Sequence, residues 1–246
     1  MYITFKDAVK LKKKSEAIKS GLILVEGKRL IGQLIKNHIS ILQLFIGQEE
    51  NIKQIQKKYR CKTILVLSDK KLQRLSSVKT PQRIVAVVKG ETKKIDKRGF
   101  LLFLDGISEP GNLGTIIRSC SAFGINGVVL SKNSCWIFNP KVIRSSMGEI
   151  FNLPIEYWDY QKLKMETNST IISTSPTFGI ELNDFITPKN NIILCLGSEA
   201  FGCSKELLKF ADKNIYIKMD GCLESLNVST SAAILLYKLR NVDKIN

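Results

Sequence analysis

Short apolar runs alternate with helical patterns along nearly the whole chain of 246 residues, and this alternation restricts the possible folds more than any other feature. The predicted strands are Leu22 to Val25, Ile39 to Ile46, Thr63 to Leu67, Ile84 to Val88, Phe100 to Leu104, Gly127 to Leu130, Ile155 to Trp158, Thr170 to Ser173, Ile192 to Leu196 and Ile215 to Met219. Helices are predicted over Lys28 to Lys36, Asn51 to Lys58 and Asp69 to Leu75, and from starts near Asn112, Pro140, Tyr160, Ser204 and Ser225. This spacing predicts an α/β fold: a small α/β unit first, then a mostly parallel sheet with helices on both faces.

Basic residues are concentrated in the first part of the chain. Residues 1–98 contain 24 Lys and Arg but only 8 Asp and Glu, whereas residues 99–246 contain 14 of each kind, so the net charge of +16 lies in the first part. A basic block beside a charge-balanced block indicates two domains, one of which meets a polyanion. We predict a basic nucleic-acid-binding domain over residues 1–90, a polar linker over 91–98 and a second domain over 99–246. Solubility alone is the alternative explanation of the charge.

The sequence has no feature of a membrane or secreted protein. No stretch approaches the roughly 18 apolar residues that a membrane-spanning helix requires. The amino terminus, MYITFKDAVKLKKK, is basic but lacks the apolar core of a secretory signal. We therefore expect a soluble protein that acts in the cytoplasm.

Several kinds of catalytic site are disfavoured by the residue types present. The six cysteines are scattered with no C-x-x-C pair, so we expect buried free thiols rather than a zinc site or a disulfide framework. His38 is the only histidine, and no nucleophile signature accompanies it, so a catalytic triad is not supported. Neither G-x-G-x-x-G nor G-x-x-x-x-G-K-[ST] occurs, which argues against dinucleotide-binding and P-loop enzymes. We expect no bound metal.

Three predicted strands are each followed by a loop that contains glycine and polar side chains. Phe100 to Leu104 is followed by DGISEPGNLGTIIR, Ile192 to Leu196 by GSEAFG, and Ile215 to Met219 by DGCLESLNVS. Ligands of such sheets bind outside the carboxyl ends of the strands, and glycine lets the backbone approach a ligand closely. Each loop alone could be an ordinary turn with a helix cap. Together they predict one ligand site.

These loops are similar, in order and spacing, to the three motifs of the SpoU (TrmH-like) RNA 2′-O-ribose methyltransferases of the SPOUT superfamily. The matching residues are Asn112-Leu-Gly114-x-x-x-Arg118, Gly197-x-Glu199-x-x-Gly202 and Met219-x-Gly221-x-x-x-Ser225-Leu226-Asn227-Val228. NPKVIRSSMGEIF resembles the family's segment between the first two motifs. LILVEGKRLI resembles the opening of an RNA-binding domain that is similar to ribosomal protein L30e. The similarity covers nearly the whole chain.

The resemblance implies the fold and the cofactor of the second domain. It implies a deep trefoil knot, which is a rare exception to unknotted chain topology. S-adenosylmethionine is expected among the knot loops, and two such domains are expected to form a homodimer. The implied cofactor-binding residues are Thr174, Gly197, Ile217, Met219, Leu226 and Asn227.

The resemblance also implies the catalytic residues, which are Arg118, Asn112, Glu199, Ser225 and Asn227. Arg118 could activate the 2′-hydroxyl as a base or grip the adjoining phosphate. A guanidinium with a pKa above about 12 is a poor base, so we favour a bidentate grip that stabilises the developing alkoxide. Asn112 and Glu199 are expected to orient this group. Ser225 and Asn227 lie at the predicted start of the last helix, where free N–H groups can fix a polar ligand.

Expected RNA contacts lie in the basic domain and at one predicted helix start. The residues are Lys28, Arg29, Arg144, Ser145 and Ser146, the last three following the helix start at Asn139 and Pro140. The long amino-terminal module resembles that of rRNA-modifying members, which favours 23S rRNA as the substrate. A tRNA 2′-O-methyltransferase and a catalytically silent RNA-binding or ribosome-assembly protein are the alternatives.

Overall fold

A computed structural model describes residues 2–48, 50–165, 168–221 and 225–240. Within these ranges the strands are β1 (Leu22–Glu26), β2 (Gln43–Gly47), β3 (Ile64–Leu67), β4 (Ile84–Lys89), β5 (Phe100–Asp105), β6 (Gly127–Leu130), β7 (Ile155–Tyr157), β8 (Ser169–Thr174), β9 (Ile180–Glu181), β10 (Asn191–Gly197) and β11 (Lys213–Tyr216). The helices are α1 (Phe5–Lys10), α2 (Lys14–Ser20), α3 (Lys28–Lys36), α4 (Ile52–Tyr59), α5 (Asp69–Leu75), α6 (Pro110–Ala122), α7 (Pro140–Ser145), α8 (Tyr160–Met165), α9 (Lys205–Phe210) and α10 (Val228–Arg240), with a 3₁₀ turn at Glu149–Phe151.

The chain divides into two units. The first comprises Met1–Glu91 and Phe138–Asn152, and the second comprises Thr92–Ile137 and Leu153–Asn246. Residues 138–152, which belong to the later predicted domain, therefore lie with the first unit.

The first unit is built on a four-stranded mixed sheet in the order β1-β4-β2-β3. Strand β4 is antiparallel to β1 and β2, and β2 is parallel to β3. All five residues of β2 are buried, which explains its nearly continuous apolar sequence. Gln43 is the polar exception, and its amide exchanges two hydrogen bonds of 2.8 Å with the main chain of Ile3. This pairing satisfies a buried polar side chain and fixes the amino-terminal segment that carries α1 and α2. Neither of these two helices was predicted from the sequence.

The predicted strand Ile39 to Ile46 is wrong at its start. Helix α3 ends in a left-handed turn at His38 (φ 59°), and the Ile39 N–H donates to the Leu34 carbonyl over 2.9 Å. This bond closes the helix end and keeps Ile39 out of the sheet, whereas the Leu42 N–H already donates to the Val87 carbonyl of β4 over 2.9 Å. Strand β2 therefore begins at Gln43.

The second unit contains a seven-stranded sheet in the order β7-β6-β5-β10-β8-β11-β9. Every pairing in it is parallel, which confirms the predicted α/β class. All six residues of β5 are buried, and six of the seven residues of β10 are buried, because helices cover both faces of a parallel sheet. In the described residues, no helix is long and apolar enough to cross a membrane.

The predicted strand Ile215 to Met219 is displaced. Strand β11 spans Lys213–Tyr216, and its pairing with β9 ends where Tyr216 faces Glu181. Strand β9 has only two residues, too few for an apolar pattern to reveal it. Residues 217–219 therefore follow the strand and belong to a loop, which places them among the groups expected to bind a ligand.

Candidate active site

Three segments that are distant in the sequence meet through one carboxylate. Glu199 follows β10, Asn112 lies in the first turn of α6, and Asn227 directly precedes α10. The side-chain amides of Asn112 and Asn227 donate to Glu199 Oε1 over 2.8 and 2.6 Å. Asn227 Nδ2 also lies 3.2 Å from Asn112 Oδ1, across 115 residues of sequence. Three predicted catalytic residues thus form one hydrogen-bonded group, which we call the Glu199 cluster.

The Glu199 cluster is also the amino-terminal cap of α10. Asn227 Oδ1 accepts hydrogen bonds from the N–H groups of Ser229 (2.9 Å) and Thr230 (3.4 Å), and the Val228 N–H points to Glu199 Oε1 over 3.4 Å. The first N–H groups of a helix have no partner within the helix, and asparagine is a preferred cap. One side chain therefore fixes both the start of α10 and the carboxylate.

A cavity lies beside this cluster, and Glu199 is part of its wall. The loops that follow β8, β10 and β11 line it, together with the start of α10. The predicted site residues in its wall are Thr174, Gly197, Ile217, Met219, Ser225 and Leu226. Asn227 is not in the wall but in the adjacent Glu199 cluster. The structure therefore brings five of the six predicted cofactor-binding residues around one cavity.

The cavity wall depends on a close approach of two chain segments at Gly197. A Cβ on Gly197 would lie 1.8 Å from the carbonyl carbon of Gly202, so no other residue fits without a backbone shift. Ser198 and Gly202 pair through two main-chain hydrogen bonds of 3.2 and 2.8 Å. The tight turn Ser198–Gly202 presents Glu199 and Phe201 at its exposed side.

Two buried cysteines lie beside Thr174 of the cavity wall. The Thr174 hydroxyl donates to the Cys195 carbonyl over 3.0 Å, and the Cys203 Sγ lies 3.5 Å from the same carbonyl. Burial raises the pKa of Cys195, and it raises the pKa of Cys203 to about 11. Both thiols are neutral at pH 7 and are poor nucleophiles. Cys61 and Cys120 are also buried and free, Cys135 is partly buried, and Cys222 lies outside the described residues.

A second cavity adjoins the first and shares Ser198, Glu199, Gly202 and Val228 with it. Asp105 and Tyr160 lie in its wall, and the Tyr160 hydroxyl donates to Asp105 Oδ1 over 2.5 Å. Burial and the neighbouring Asp105 raise the pKa of Tyr160 to about 12. Asp105 and Tyr160 were not among the predicted site residues. An aspartate that directly ends a fully apolar strand was the available signal for Asp105.

Arg118 does not join the Glu199 cluster. It is exposed on α6, and within the described ranges it makes no hydrogen bond or ion pair. Asn112 and Arg118 share a helix but stand six residues apart, so they point in different directions from its axis. The guanidinium is thus available to an external anion.

The predicted RNA-contacting residues lie in the first unit and differ in their availability. Lys28 and Arg29 are exposed at the start of α3, and Lys28 forms an ion pair with Glu50. The Arg144 guanidinium donates to the Ser77 hydroxyl, and the Ser145 hydroxyl donates to the Lys141 carbonyl over 2.7 Å. Ser146 is fully buried, with its hydroxyl on the Ile143 carbonyl. Because Ser146 presents nothing to a ligand, we leave it out of the RNA-contacting set.

Comparison with protein families supplies an independent assignment. The SpoU rRNA Methylase family model matches residues 99–237, which is more than half of the chain. The chain belongs to the SpoU rRNA methylase family. The model of an MRM3-like substrate binding domain matches residues 4–86. The SpoU match includes every residue that lines the first cavity and all three members of the Glu199 cluster.

Relatives of this SpoU family member match over nearly its full length. It is 32% identical to the 23S rRNA (guanosine(2553)-2′-O)-methyltransferase RlmP of Bacillus subtilis, covering 96% of this chain and 95% of that protein. It is 26% identical to the 23S rRNA (uridine(2479)-2′-O)-methyltransferase of Streptomyces viridochromogenes, covering 92% and 84%. The SpoU methyltransferase AviRb of the same organism, solved with its cofactor AdoMet, has a similar fold, with a TM-score of 0.87 over 98% of both chains at 23% identity.

Proposed function

We propose that this chain is an S-adenosylmethionine-dependent methyltransferase that methylates a ribose 2′-hydroxyl of 23S ribosomal RNA in the cytoplasm. The observation that carries the proposal is the Glu199 cluster at the wall of a cavity lined by loops from three parallel strands. Family membership and two 23S rRNA methyltransferases among the full-length relatives support the reaction and the RNA class.

The first cavity fits the proposed cofactor. Ile217, Met219 and Leu226 supply apolar surface for an adenine ring, and the main chain at Gly197 can approach closely. We propose that these residues and Thr174 hold S-adenosylmethionine, with Asn227 fixing the loop beside it. When bound, the cofactor supplies an electrophilic methyl group on a sulfonium.

The chain's own residues then have two tasks, which are to hold the 2′-hydroxyl and to ease the loss of its proton. Orientation of this kind can contribute about 7–11 kcal/mol to a reaction between two bound groups. We propose that Arg118, which is exposed and lies in neither cavity wall, grips an RNA phosphate through its planar fork and stabilises charge on the oxygen. Asn112 and Glu199 hold the first turn of the Arg118 helix against the turn Ser198–Gly202, and Ser225 offers its hydroxyl to the cavity.

We further propose roles for the two parts of the chain. Residues 1–90 dock the RNA through phosphate contacts that include Lys28 and Arg29, aided by Arg144 and Ser145, and residues 99–246 carry out the transfer and thread as a trefoil knot. Two copies form a homodimer through the second domain. Ile234 and Tyr237 on α10 are consistent with this arrangement, because each exposes apolar surface that a second copy can cover.

Transfer of labelled methyl from S-adenosylmethionine to ribosomal RNA tests the proposal. The RNA is isolated from a strain that lacks this gene, and the label is expected at one ribose in 23S rRNA, resistant to alkaline cleavage on its 3′ side. Label in tRNA would select the tRNA alternative. Tight RNA binding without transfer or cofactor binding would select the silent RNA-binding protein.

Light scattering tests the dimer, and mixed dimers test where Arg118 acts. Chains carrying Arg118→Ala and chains carrying Glu199→Ala are each expected to be inactive. If one site uses Arg118 of the second copy, the mixture regains activity, whereas a site within one chain leaves the mixture inactive. A monomer at working concentrations contradicts the homodimer.

A further inference from the structure

Phe201 is more exposed than any other large apolar side chain in the described ranges, at 90%. Single exposed apolar residues are common on protein surfaces and carry no meaning alone. Phe201, however, stands in the wall of the second cavity, two residues after Glu199. Its position rather than its exposure is what needs an explanation.

The Phe201 ring projects from a turn whose backbone is fixed by hydrogen bonds. The turn Ser198–Gly202 is closed by its two main-chain hydrogen bonds, and the Phe201 N–H donates to the Ser198 hydroxyl over 3.3 Å. Gly197 packs directly against the end of this turn, which leaves the turn no room to collapse. A preformed turn that presents an aromatic ring loses little entropy when a ligand covers the ring.

The second cavity suits an uncharged group with hydrogen-bond donors. Its wall contains the carboxylates of Asp105, Glu109 and Glu199, and no Lys or Arg among its described residues. Such a wall repels a phosphate. Asp105 and Glu199 already accept hydrogen bonds from Tyr160 and Asn112, and the further lone pairs of such carboxylates can accept from hydroxyl and amino groups, which are the donors of a ribose and of a nucleobase edge.

The second cavity also shares part of its wall with the first. Ser198, Glu199, Gly202 and Val228 belong to both walls. A nucleoside in the second cavity would therefore abut a cofactor in the first, with Phe201 on the outer side of the nucleoside. RNA bases that are read outside a helix are commonly stacked on aromatic side chains.

We propose that Phe201 is a substrate-positioning residue that stacks on the base of the target nucleotide while its ribose occupies the second cavity. This inference rests on the proposed methyl transfer to a ribose and adds the group that holds the base. Stacking tolerates different bases, so Phe201 sets the position of the nucleotide and not its identity.

The test compares Phe201→Ala, Phe201→Leu and Phe201→Trp in methyl transfer to ribosomal RNA from a strain lacking the gene, at saturating S-adenosylmethionine. Removal of one stacking ring is expected to lower kcat/KM for the RNA about 5- to 100-fold. Phe201→Leu keeps the apolar character but not the flat ring, so it is expected to resemble Phe201→Ala. Phe201→Trp is expected to stay close to the unmodified protein.

Two further measurements separate stacking from other roles. S-adenosylmethionine affinity by calorimetry is expected to be unchanged in all three variants. In the Phe201→Trp variant, the fluorescence of the introduced indole is expected to be quenched when the RNA binds. Ile186→Ala, at a side chain 87% exposed outside both cavities, is the control and should leave kcat/KM unchanged.

The outcomes distinguish this inference from the proposed function. Absence of methyl transfer by the unmodified protein would overturn the proposed function itself. Methyl transfer by Phe201→Ala at the normal rate would overturn only the stacking role. Equal rates of transfer by Phe201→Leu and Phe201→Trp would do the same. Dissociation of a Phe201→Ala dimer would assign the ring to a contact between copies and would also overturn it.

Discussion

Glu199 accepts a hydrogen bond of 2.6 Å from the side chain of Asn227, which simultaneously caps the last helix of the chain. The same carboxylate oxygen accepts from Asn112 at 2.8 Å. A single acceptor therefore ties the starts of two helices to the turn between them. Each of these segments contributes to the proposed site. The geometry of the site therefore depends on a negative charge at Glu199 and on amide donors at Asn112 and Asn227.

Replacing the amide donor of Asn227 with a carboxylate should reduce both the stability of the fold and the rate of methyl transfer. Asn227→Asp places a second carboxylate where a donor faced Glu199, and we expect the free energy of unfolding to fall by about 1–3 kcal/mol. Urea denaturation measures the change, and adding Glu199→Gln should recover part of it because the pair is no longer doubly charged. Asn183→Asp is the matched control. Asn183 is exposed, its amide donates to Glu181 over a distance of 3.3 Å, and neither residue lines either cavity. Equal losses at the two positions would contradict a special role for the Glu199 cluster.

Loss of Arg118 should abolish transfer without affecting the fold. Its side chain makes no hydrogen bond or ion pair in the described ranges, so we expect Arg118→Ala to unfold normally and to bind S-adenosylmethionine normally. The rate of transfer at saturating RNA should fall about 10²- to 10³-fold if the guanidinium stabilises charge at the reacting oxygen. Arg118→Lys should remain strongly impaired because an ammonium lacks the planar fork. Near-normal turnover by Arg118→Lys would exclude bidentate phosphate binding.

A methyl group at Gly197 should disrupt the proposed cofactor site. The added Cβ would meet the backbone of Gly202 at 1.8 Å, so the two segments must separate. We expect Gly197→Ala to lose at least about 2 kcal/mol of unfolding free energy and most of its affinity for S-adenosylmethionine, as measured by calorimetry. Gly32→Ala is the control, because its Cβ meets nothing within 4 Å and alanine favours a helix. Unchanged affinity in Gly197→Ala would mean that the turn is not part of the cofactor site.

RNA binding should weaken steeply with salt, because phosphate neutralisation releases counterions. The first 98 residues carry the whole net charge of +16. Filter binding of ribosomal RNA over a salt series is expected to give a steep logarithmic slope, and Lys28→Ala with Arg29→Ala should reduce that slope by about 1–2. Affinity for S-adenosylmethionine should change little over the same series. A flat response of RNA binding would contradict phosphate docking by this part of the chain.

Glu156 should make the stability of the second unit depend on acid pH. Burial raises the pKa of this carboxyl, but hydrogen bonds from the Trp158 indole, the Ile95 N–H and Lys162 outweigh burial and lower it from 4.5 to about 2. A carboxyl with a lowered pKa stabilises the fold above its unfolded pKa, and this stabilisation disappears as the pH falls from about 4.5 to 2.

Glu156→Gln tests this contribution. We expect it to lower the free energy of unfolding at pH 7 by about 1–3 kcal/mol and to match the unmodified protein near pH 2. Thermal unfolding over a pH series measures the difference, with Asp184→Asn at an exposed carboxylate as the control. A difference that persists unchanged to pH 2 would rule out the carboxylate charge as its cause.

Most helices and strands could be predicted from the sequence, because burial on both faces of a parallel sheet requires apolar runs of strand length. Phe100 to Leu104 and Gly127 to Leu130 are examples, and both are confirmed to within one residue. The misplaced ends, at Ile39 and Met219, arise where apolar residues continue past the last paired position. Pairing with a neighbouring strand ends there, and no local pattern records where the neighbour ends.

The sequence by itself determined the alternating architecture, the charge asymmetry and the three glycine-containing motifs, because each depends on residues near one another in the chain. Only the tertiary structure decided that Asn112, Glu199 and Asn227 share one acceptor, that Asp105 meets Tyr160 and that residues 138–152 lie with the first unit. These contacts depend on strand order and on which surfaces are buried against each other. Both are set by the free energy of the whole fold and not by any segment of it.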